Sequence, residues 1–238
     1  MARVVAGTRV LAVGAGTGGE AFDAAARVGP EGHVVATDIS PAMIAAAEEA
    51  AAEAGLTNVQ FLVMDAQHLD FPEAIFDAVI SRNTLMFVPD LSLGLAEMKR
   101  VLKPQGRIGA TVWSSGARNP RIYGPLRAAR ALGARPPESA TYRIGLRLGT
   151  PARLGAALRE AGFTGIDVQR VQLIASYATL GEAVTQAVEQ PGTQELIALL
   201  GPQSTPRMQC SLKRRWARYG DRGEILLPGE QLVGAGST

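Results

Sequence analysis

Residues 9–19 of the chain read Arg-Val-Leu-Ala-Val-Gly-Ala-Gly-Thr-Gly-Gly, and Asp38 follows the next apolar run at residues 34–37. An apolar segment thus leads into a glycine-rich turn, and a second apolar segment ends in a carboxylate. This order is typical of α/β proteins that bind a nucleoside at the carboxyl edge of a parallel sheet. Gly14, Gly16 and Gly18 let the backbone approach a ligand closely, because they carry no Cβ atom. Asp38 can accept hydrogen bonds from both hydroxyl groups of a ribose.

The glycine turn by itself admits two classes of enzyme, beside a tight turn that binds nothing. Gly14, Gly16 and Gly19 also satisfy G-x-G-x-x-G, the fingerprint of dinucleotide-binding proteins, with an acid about 20 residues further on. An S-adenosylmethionine (SAM) methyltransferase and an NAD(P)-dependent oxidoreductase therefore compete. Short-chain dehydrogenases need a Tyr-x-x-x-Lys pair, and none of the four tyrosines is followed by lysine four residues later. The residues thus favour the methyltransferase.

Further segments follow the glycine turn in a fixed order. The sequence predicts strands over 59–64 and 76–81, a helix over 91–102, and a turn at 103–106 that leads into a strand over 107–113. With residues 10–18 and 34–40, this series resembles a class I SAM-dependent methyltransferase, most similar to the ubiquinone/menaquinone C-methyltransferase-like group of small-molecule methyltransferases. The resemblance covers residues 8–113. It implies an α/β, Rossmann-like fold with a seven-stranded, mostly parallel sheet and helices on both faces.

The resemblance also implies a role for each matching position. Asp38 would hold the ribose hydroxyls, and Asp65 would accept a hydrogen bond from the adenine amino group. The structural alternative for Asp65 is a turn or a helix N-cap. The remaining positions are the methionine-facing turn Gly14, Ala15, Gly16, Thr17 and Gly18, the adenine-lining Ile39 and Met43, the neighbours of Asp65, which are Ala66 and Gln67, and Ser81, Arg82 and Asn83 under the sulfonium.

Two features depart from the family's pattern. Position 12 usually holds an acid that helps to bind the SAM ammonium group, and here it is Ala12. Losing such a charge-assisted contact would cost about 1.5–3 kcal/mol, unless Glu20 or Asp23 of the following helix replaces it. Only residues 1–8 precede the first strand, where the family usually carries helices that close over SAM and substrate. These departures motivate an alternative, a SAM-fold binding or regulatory protein with impaired catalysis.

Methyl transfer needs a general base only when the acceptor atom arrives protonated. The sequence offers His68, Tyr123 and Tyr142 as weak catalytic candidates. Each has a structural explanation as well, because His68 fits a surface turn and the tyrosines fit packing anchors.

Length and composition predict one globular domain over residues 1–238, and the resemblance implies that it is a methyltransferase domain. Its parts would be a SAM-binding core at 1–113, a lid insertion at 114–149, and C-terminal helices with a final strand pair at 150–238. The lid segment is rich in Gly, Pro and Arg. In the last part we expect helices over 150–163, 179–190 and 193–200, a sixth strand over 166–173, and a final strand over 224–233 beside it.

Several classes of protein are disfavoured by what the sequence lacks. No run of 18 apolar residues is present, so we expect no membrane span. Cys210 is the single cysteine and His33 and His68 are the two histidines, so we expect neither a disulfide framework nor a metal site. A cytoplasmic location is the simplest expectation.

The net charge of +2 conceals an uneven distribution. Residues 1–98 carry 4 Arg and 13 acids, whereas residues 99–159 carry 13 Lys or Arg and only Glu138 as an acid. Such a segment can steer an anionic or aromatic small-molecule acceptor. A nucleic acid ranks below it, although residues 214–218 add a basic patch with a tryptophan. A solvated basic face is the structural explanation. The oligomeric state stays open, a homo-oligomer included.

Overall fold

The computed structural model describes residues 2–137, 146–221 and 223–238. The chain divides into two compact units. Unit 1 comprises residues 1–112, 150–169 and 232–238, and unit 2 comprises residues 113–149 and 170–231. The predicted division into a core, a lid insertion and a C-terminal part stays a prediction.

In the described part of the chain, eight strands form one sheet, and its seven main strands run in the order β3-β2-β1-β4-β5-β8-β6. The neighbours β1/β2, β2/β3, β1/β4 and β4/β5 are parallel. The two-residue β7 pairs only with β8, antiparallel. This architecture confirms the predicted α/β fold with a mostly parallel sheet. The strands are β1 (Arg9–Val13), β2 (His33–Asp38), β3 (Val59–Val63), β4 (Phe76–Arg82), β5 (Leu102–Trp113), β6 (Thr164–Tyr177), β7 (Gly220–Asp221) and β8 (Glu224–Ser237).

Eight α-helices are described beside three short 3₁₀ turns at 85–87, 202–204 and 217–219. Of these helices, α1, α2, α3 and α5 lie in unit 1, and α4, α6, α7 and α8 lie in unit 2. They are α1 (Gly19–Val28), α2 (Pro41–Glu53), α3 (Leu91–Val101), α4 (Pro120–Ala131), α5 (Pro151–Glu160), α6 (Leu180–Glu189), α7 (Pro191–Leu200) and α8 (Thr205–Trp216). None of the described helices is long and apolar enough to cross a membrane.

Local sequence signals explain where several helices begin. The Ser40 hydroxyl accepts a hydrogen bond from the Met43 backbone amide, and Pro41 occupies the first turn of α2. Thr150 and Pro151 begin α5 in the same way. Such residues satisfy amide groups that have no partner within the helix. The predicted helix start at residue 150 therefore corresponds to real capping geometry.

Each unit has its own apolar core. In unit 1, small side chains of α1 pack on β1 and β2, where Ala12, Ala21 and Ala24 are almost fully buried. In unit 2, Tyr123 of α4 and Trp216 of α8 belong to a core of larger side chains. Gly124 lets these two helices meet closely, since a Cβ atom there would lie 3.0 Å from the Trp216 ring.

Candidate functional site

Asp38 ends β2, and two backbone amides fix its carboxylate. The Gly16 amide donates to Oδ2 at 2.9 Å, and the Ser40 amide donates to Oδ1 at 3.0 Å. Asp38 is half-buried, and each carboxylate oxygen keeps a further lone pair after these bonds. The parallel pairing of β1 with β2 brings the carboxyl ends of both strands to one edge. The acid and the glycine turn that the sequence singles out therefore adjoin each other.

The cleft beside this carboxylate, called here the Asp38 cleft, contains several of the predicted binding residues. Two large apolar side chains on its wall face solvent, since Ile39 is 68% exposed and Phe87 is 44% exposed. Exposed apolar groups beside a fixed carboxylate suit a ligand with a flat ring and a polar sugar. The cleft is lined by Val13, Gly14, Asp38, Ile39, Met64, Asp65, Ala66, Thr84, Phe87, Val88 and Pro89.

Asp65 begins a tight turn after β3, and Gln67 binds its carboxylate through both its backbone amide and its side-chain amide. The Gln67 backbone amide donates to Oδ1 at 2.9 Å, and the Gln67 side-chain amide donates to both oxygens. The backbone bond is the main reason that the pKa of Asp65 lies below its ordinary value. Asp65 is thus held ionised as an acceptor on the wall of the Asp38 cleft. The Asp65 side chain also stabilises this turn, which is the structural role that the sequence analysis gave as the alternative.

Gly14 is required by both its backbone conformation and its neighbours. Its φ angle is +71°, and a Cβ atom would overlap the side chain of Thr84. The Thr84 hydroxyl in turn donates to the Gly14 carbonyl at 3.0 Å. The turn and the segment after β4 are thereby locked together.

A Gly14→Ala substitution is expected to destabilise the protein by about 2–3 kcal/mol, because it adds a steric overlap to an unfavourable φ angle. Gly16→Ala is the matched control, since its φ of +56° is equally unfavourable but no atom lies within 4 Å of the added Cβ. Urea unfolding followed by far-UV circular dichroism measures both losses. Equal losses for the two variants would show that the Thr84 contact is unimportant.

A second cleft of unit 1, called here the Glu20 cleft, is lined by other residues that the sequence predicts for the site. Ser81 and Arg82 line it at the end of β4, together with Thr111 of β5 and Glu20 of α1. Among the described residues, three buried side-chain atoms of this cleft have no hydrogen-bond partner: Glu20 Oε1, Ser81 Oγ and Thr111 Oγ1. Buried polar atoms without partners are rare in folded proteins. Their collection in one cleft indicates a site for a polar ligand group.

Among the described residues that line the Glu20 cleft, Glu20 has a pKa that departs from its ordinary value. Burial disfavours its charged form and raises its pKa to about 7, although the charge of Arg82 and a backbone hydrogen bond from Arg82 act in the opposite direction. The Arg82 guanidinium lies 3.9 Å from Glu20 Oε2 and is half-exposed, whereas the Glu20 side chain is 10% exposed. Such shifts are frequent at functional sites. Sequence reasoning named Glu20 only as a replacement for the acid missing at position 12.

The other predicted residues are distributed as follows. Met43 is 44% exposed on α2 but does not line the Asp38 cleft. Asn83 has a φ of +57°, and its amide donates to the Thr111 carbonyl. His68 is exposed in the turn after Asp65, Tyr123 is 2% exposed in the core of unit 2, and Tyr142 lies outside the described residues. The catalytic roles of His68, Tyr123 and Tyr142 stay predictions, as do the roles of Ala15, Thr17, Gly18 and the cleft residues.

Unit 2 contains a cavity of about 410 Å³, called here the Trp113 pocket. Apolar side chains from β6 and β8 form one part of its wall, and Arg121 of α4 supplies a cation. No group of three or more potential metal ligands is found in the part of the chain that the structure describes. The pocket is lined by Trp113, Asn119, Arg121, Ile122, Leu173, Ile174, Ala175, Ser176, Tyr177, Gln186, Leu227, Pro228 and Gly229.

The fold and the Asp38 cleft are those expected of a nucleoside-binding α/β protein, and comparison with known proteins identifies the family within this class. The family model described as "Methyltransferase domain" matches residues 5–123, half of the chain. The chain therefore belongs to this methyltransferase domain family, which confirms the resemblance to class I SAM-dependent methyltransferases. The comparisons do not support the oxidoreductase or the catalytically impaired alternative.

Individual relatives agree with the family assignment. The chain is 39% identical over 170 residues to a nocamycin O-methyltransferase of Saccharothrix syringae, which covers 67% of this chain and 60% of the relative. It is 42% identical over 106 residues to a demethylmenaquinone methyltransferase of Listeria monocytogenes, which covers 44% of this chain and 45% of the relative. The chain thus spans about half the length of these curated relatives.

A solved structure shares the fold across the whole chain. The crystal structure of the YcgJ protein of Bacillus subtilis matches with a TM-score of 0.67 at 19% identity, covering 100% of this chain and 94% of that one. At this level of identity the likeness concerns the fold alone.

Proposed function

We propose that the protein transfers a methyl group from SAM to an oxygen, nitrogen or carbon atom of a small-molecule acceptor. The observation that carries the proposal is the Asp38 carboxylate, fixed by the Gly16 and Ser40 amides at the edge of the sheet. Membership of the methyltransferase domain family supports the reaction type. The names of the relatives, one an O-methyltransferase and one acting on demethylmenaquinone, support a small acceptor.

The residues of unit 1 fit the parts of SAM. Asp38 would accept hydrogen bonds from the ribose hydroxyls, because each of its oxygens keeps a lone pair. Asp65 would bind the adenine amino group, and the exposed side chains of Ile39 and Phe87 would cover the adenine faces. Bound SAM would supply a methyl group that its sulfonium has already activated. The chain's task is then to orient the acceptor and to exclude water.

Glu20 is the proposed replacement for the acid that is missing at position 12. Ala12 is fully buried and brings no charge, whereas Glu20 presents an unpartnered Oε1 atom to the Glu20 cleft. An ammonium group is a suitable partner for this atom, since it donates hydrogen bonds and stabilises the ionised carboxyl. Asp23 is exposed on the same helix and supports such a role less well.

The Trp113 pocket is the proposed place for the acceptor in unit 2. Its apolar wall favours an aromatic skeleton, and Arg121, which has no ion-pair partner among the described residues, favours an acidic substituent. This supports the predicted anionic or aromatic acceptor, and the lid role of residues 114–149 stays a prediction. A cytoplasmic location also stays a proposal, based on the lone Cys210.

Asp38→Asn is expected to weaken binding of S-adenosylhomocysteine about tenfold to a hundredfold, because it removes one charged acceptor for the ribose. Isothermal titration calorimetry measures the change directly and needs no acceptor. Asp70→Asn is the matched control, since Asp70 is an exposed acid of unit 1 outside both clefts. If the wild-type protein does not bind S-adenosylhomocysteine, or if Asp38→Asn binds it equally well, the proposal is wrong.

A further inference from the structure

Three arginines of unit 2 converge on one cleft that the proposed methyl transfer does not use. Arg127 comes from α4, Arg215 from α8, and Arg218 from the 3₁₀ turn after α8. The cleft, called here the arginine cleft, has a volume of about 170 Å³. Its remaining lining residues are Ala117, Pro120, Gly124, Trp216 and Tyr219.

Contacts with neighbouring groups hold two of these guanidinium groups in place. Arg215 donates from Nε to the Ser211 hydroxyl and from Nη2 to the Arg127 carbonyl, each at 3.4 Å. Arg218 donates to the Tyr219 hydroxyl at 2.8 Å, and its guanidinium carbon lies 4.8 Å from the centre of the Tyr219 ring. The buried Trp216 ring packs against Gly124 and fixes the two helices on either side. All three arginines are exposed, and these contacts orient the guanidinium groups of Arg215 and Arg218.

Among the residues that the structure describes, no carboxylate balances this charge locally. Within the described residues, none of the three arginines forms an ion pair, and no acid lines the cleft. Helices α4 and α8 together carry seven Lys or Arg residues and no Asp or Glu. In the full sequence, unit 2 carries 14 Lys or Arg against 7 Asp or Glu. Like charges that lie close together repel each other, and a bound anion would relieve the repulsion.

We propose that the arginine cleft binds a phosphate group of a small-molecule ligand. A phosphate carries up to two charges and several acceptor oxygens, which match forked guanidinium donors that approach from different elements. The volume of about 170 Å³ suits a phosphate or pyrophosphate group. The half-exposed Tyr219 ring offers a flat surface beside the anion. The cleft would thus select phosphorylated ligands, independently of the methyl transfer proposed for the protein.

The test is calorimetric titration of the full chain with pyrophosphate in a phosphate-free buffer at low salt. The double variant Arg127→Gln/Arg218→Gln is expected to raise the Kd for pyrophosphate at least about tenfold, since it removes two charge-assisted donors. The matched control is Arg130→Gln/Arg214→Gln, which removes two exposed charges of α4 and α8 that lie outside the cleft. We expect its Kd to rise less than about threefold, through the lost long-range attraction alone.

Two results would overturn the proposal. Equal weakening by the two double variants would mean that diffuse surface charge attracts the anion, and absence of pyrophosphate binding would mean that the cleft is no anion site. Tighter binding of a single-stranded oligonucleotide than of pyrophosphate, lost equally in both double variants, would identify a nucleic acid surface instead. S-adenosylhomocysteine binding, measured in parallel, is expected to be unchanged in both variants, so a failure here is distinguishable from a failure of the proposed methyl transfer.

Discussion

Glu20→Gln is expected to stabilise the ligand-free protein above pH 7 by up to about 3 kcal/mol. The reason is the pKa of Glu20, which burial raises from 4.5 to about 7. Above its ordinary pKa, ionising this carboxyl is therefore less favourable in the folded protein than in the unfolded chain, which lowers the free energy of unfolding. Glutamine has nearly the same shape and never ionises. The variant therefore loses the weak attraction to the half-exposed Arg82 but avoids the larger cost of the buried charge.

The sign of the pH dependence follows from the direction of this shift. Between pH 4.5 and about 7 the folded protein binds one more proton at Glu20 than the unfolded chain, so the free energy of unfolding falls as the pH rises. The advantage of Glu20→Gln should be absent near pH 4.5, grow through this window and become constant above it. Arg82 of β4 and Asp23 and Arg27 of α1 are the other charged groups lining the Glu20 cleft, and they are the same in both proteins.

Urea unfolding at pH 5, 6, 7 and 8, followed by far-UV circular dichroism, measures this dependence. Asp23→Asn is the matched control, because Asp23 lies one turn further along α1 in the same cleft but is exposed. We expect its effect to stay within about 0.5 kcal/mol at each pH. A difference between wild type and Glu20→Gln that does not change with pH would show that Glu20 has an ordinary acidity.

The same variant should bind S-adenosylhomocysteine more weakly. If Glu20 holds the ammonium group, its loss should raise the Kd about tenfold or more at pH 8, and the wild-type affinity should increase as the pH rises through 7. Stability gained and binding lost in one variant would mark Glu20 as a residue retained for function at the expense of stability. Unchanged affinity at pH 8 would exclude Glu20 as the ammonium ligand.

The sequence predicted unit 1 well because its signals are local. The glycine turn, the Ser40-Pro41 helix start and the acid after β2 each depend on a few neighbouring residues, whereas the mostly parallel sheet was implied by the family resemblance. The strand predicted over 107–113 begins earlier in the structure, at Leu102, with a register shift between Phe76 and Ala78 of its partner β4. Boundaries of this kind depend on pairing with a neighbouring strand, which the local pattern does not contain.

Unit 2 was less accessible to sequence reasoning. Helix α4 was missed, because the Gly, Pro and Arg residues of segment 114–149 obscure its pattern, although Pro120 stands in its first turn, where proline is favourable. For helix α8, the sequence indicated only a basic patch at residues 214–218. The burial of Trp216 and Met208 on its inner face arises from packing against α4 and α6. The raised pKa of Glu20 in unit 1 could not be predicted either, since the sequence does not show the burial that causes it.

Glu230 of β8 is expected to be the most important buried charge of unit 2. Its side chain is fully buried and accepts hydrogen bonds from Arg118 at 3.2 Å, Arg170 at 2.9 Å and Gln172 at 2.7 Å. Burial alone would raise its pKa, but hydrogen bonds from Ser114, Gln172 and Arg170 and the charge of Arg118 outweigh it, so that the pKa lies below its ordinary value. The carboxylate thereby joins β6, β8 and the segment before α4.

Glu230→Ala is expected to destabilise unit 2 by about 3–5 kcal/mol, because it leaves a cavity and removes the partner of two cations at once. Glu230→Gln keeps the shape and one acceptor, so we expect a smaller loss of about 1–3 kcal/mol. Both tryptophans, Trp113 and Trp216, belong to unit 2, and their fluorescence during urea unfolding reports on this unit. Glu224→Ala is the control, since Glu224 is an exposed acid of the same strand.

The pH dependence of this loss runs opposite to that of Glu20. Because the folded-state pKa of Glu230 is lowered, its stabilising contribution is complete above the ordinary pKa of 4.5 and disappears as the pH falls through the folded-state value. Wild type and Glu230→Gln should therefore differ most near neutral pH and converge in acid, whereas wild type and Glu20→Gln converge near pH 4.5 and diverge above it. A loss in Glu230→Ala no larger than that in Glu224→Ala would mean that Arg118 and Arg170, each about half-exposed, are satisfied by water and that the buried carboxylate does not hold the unit together.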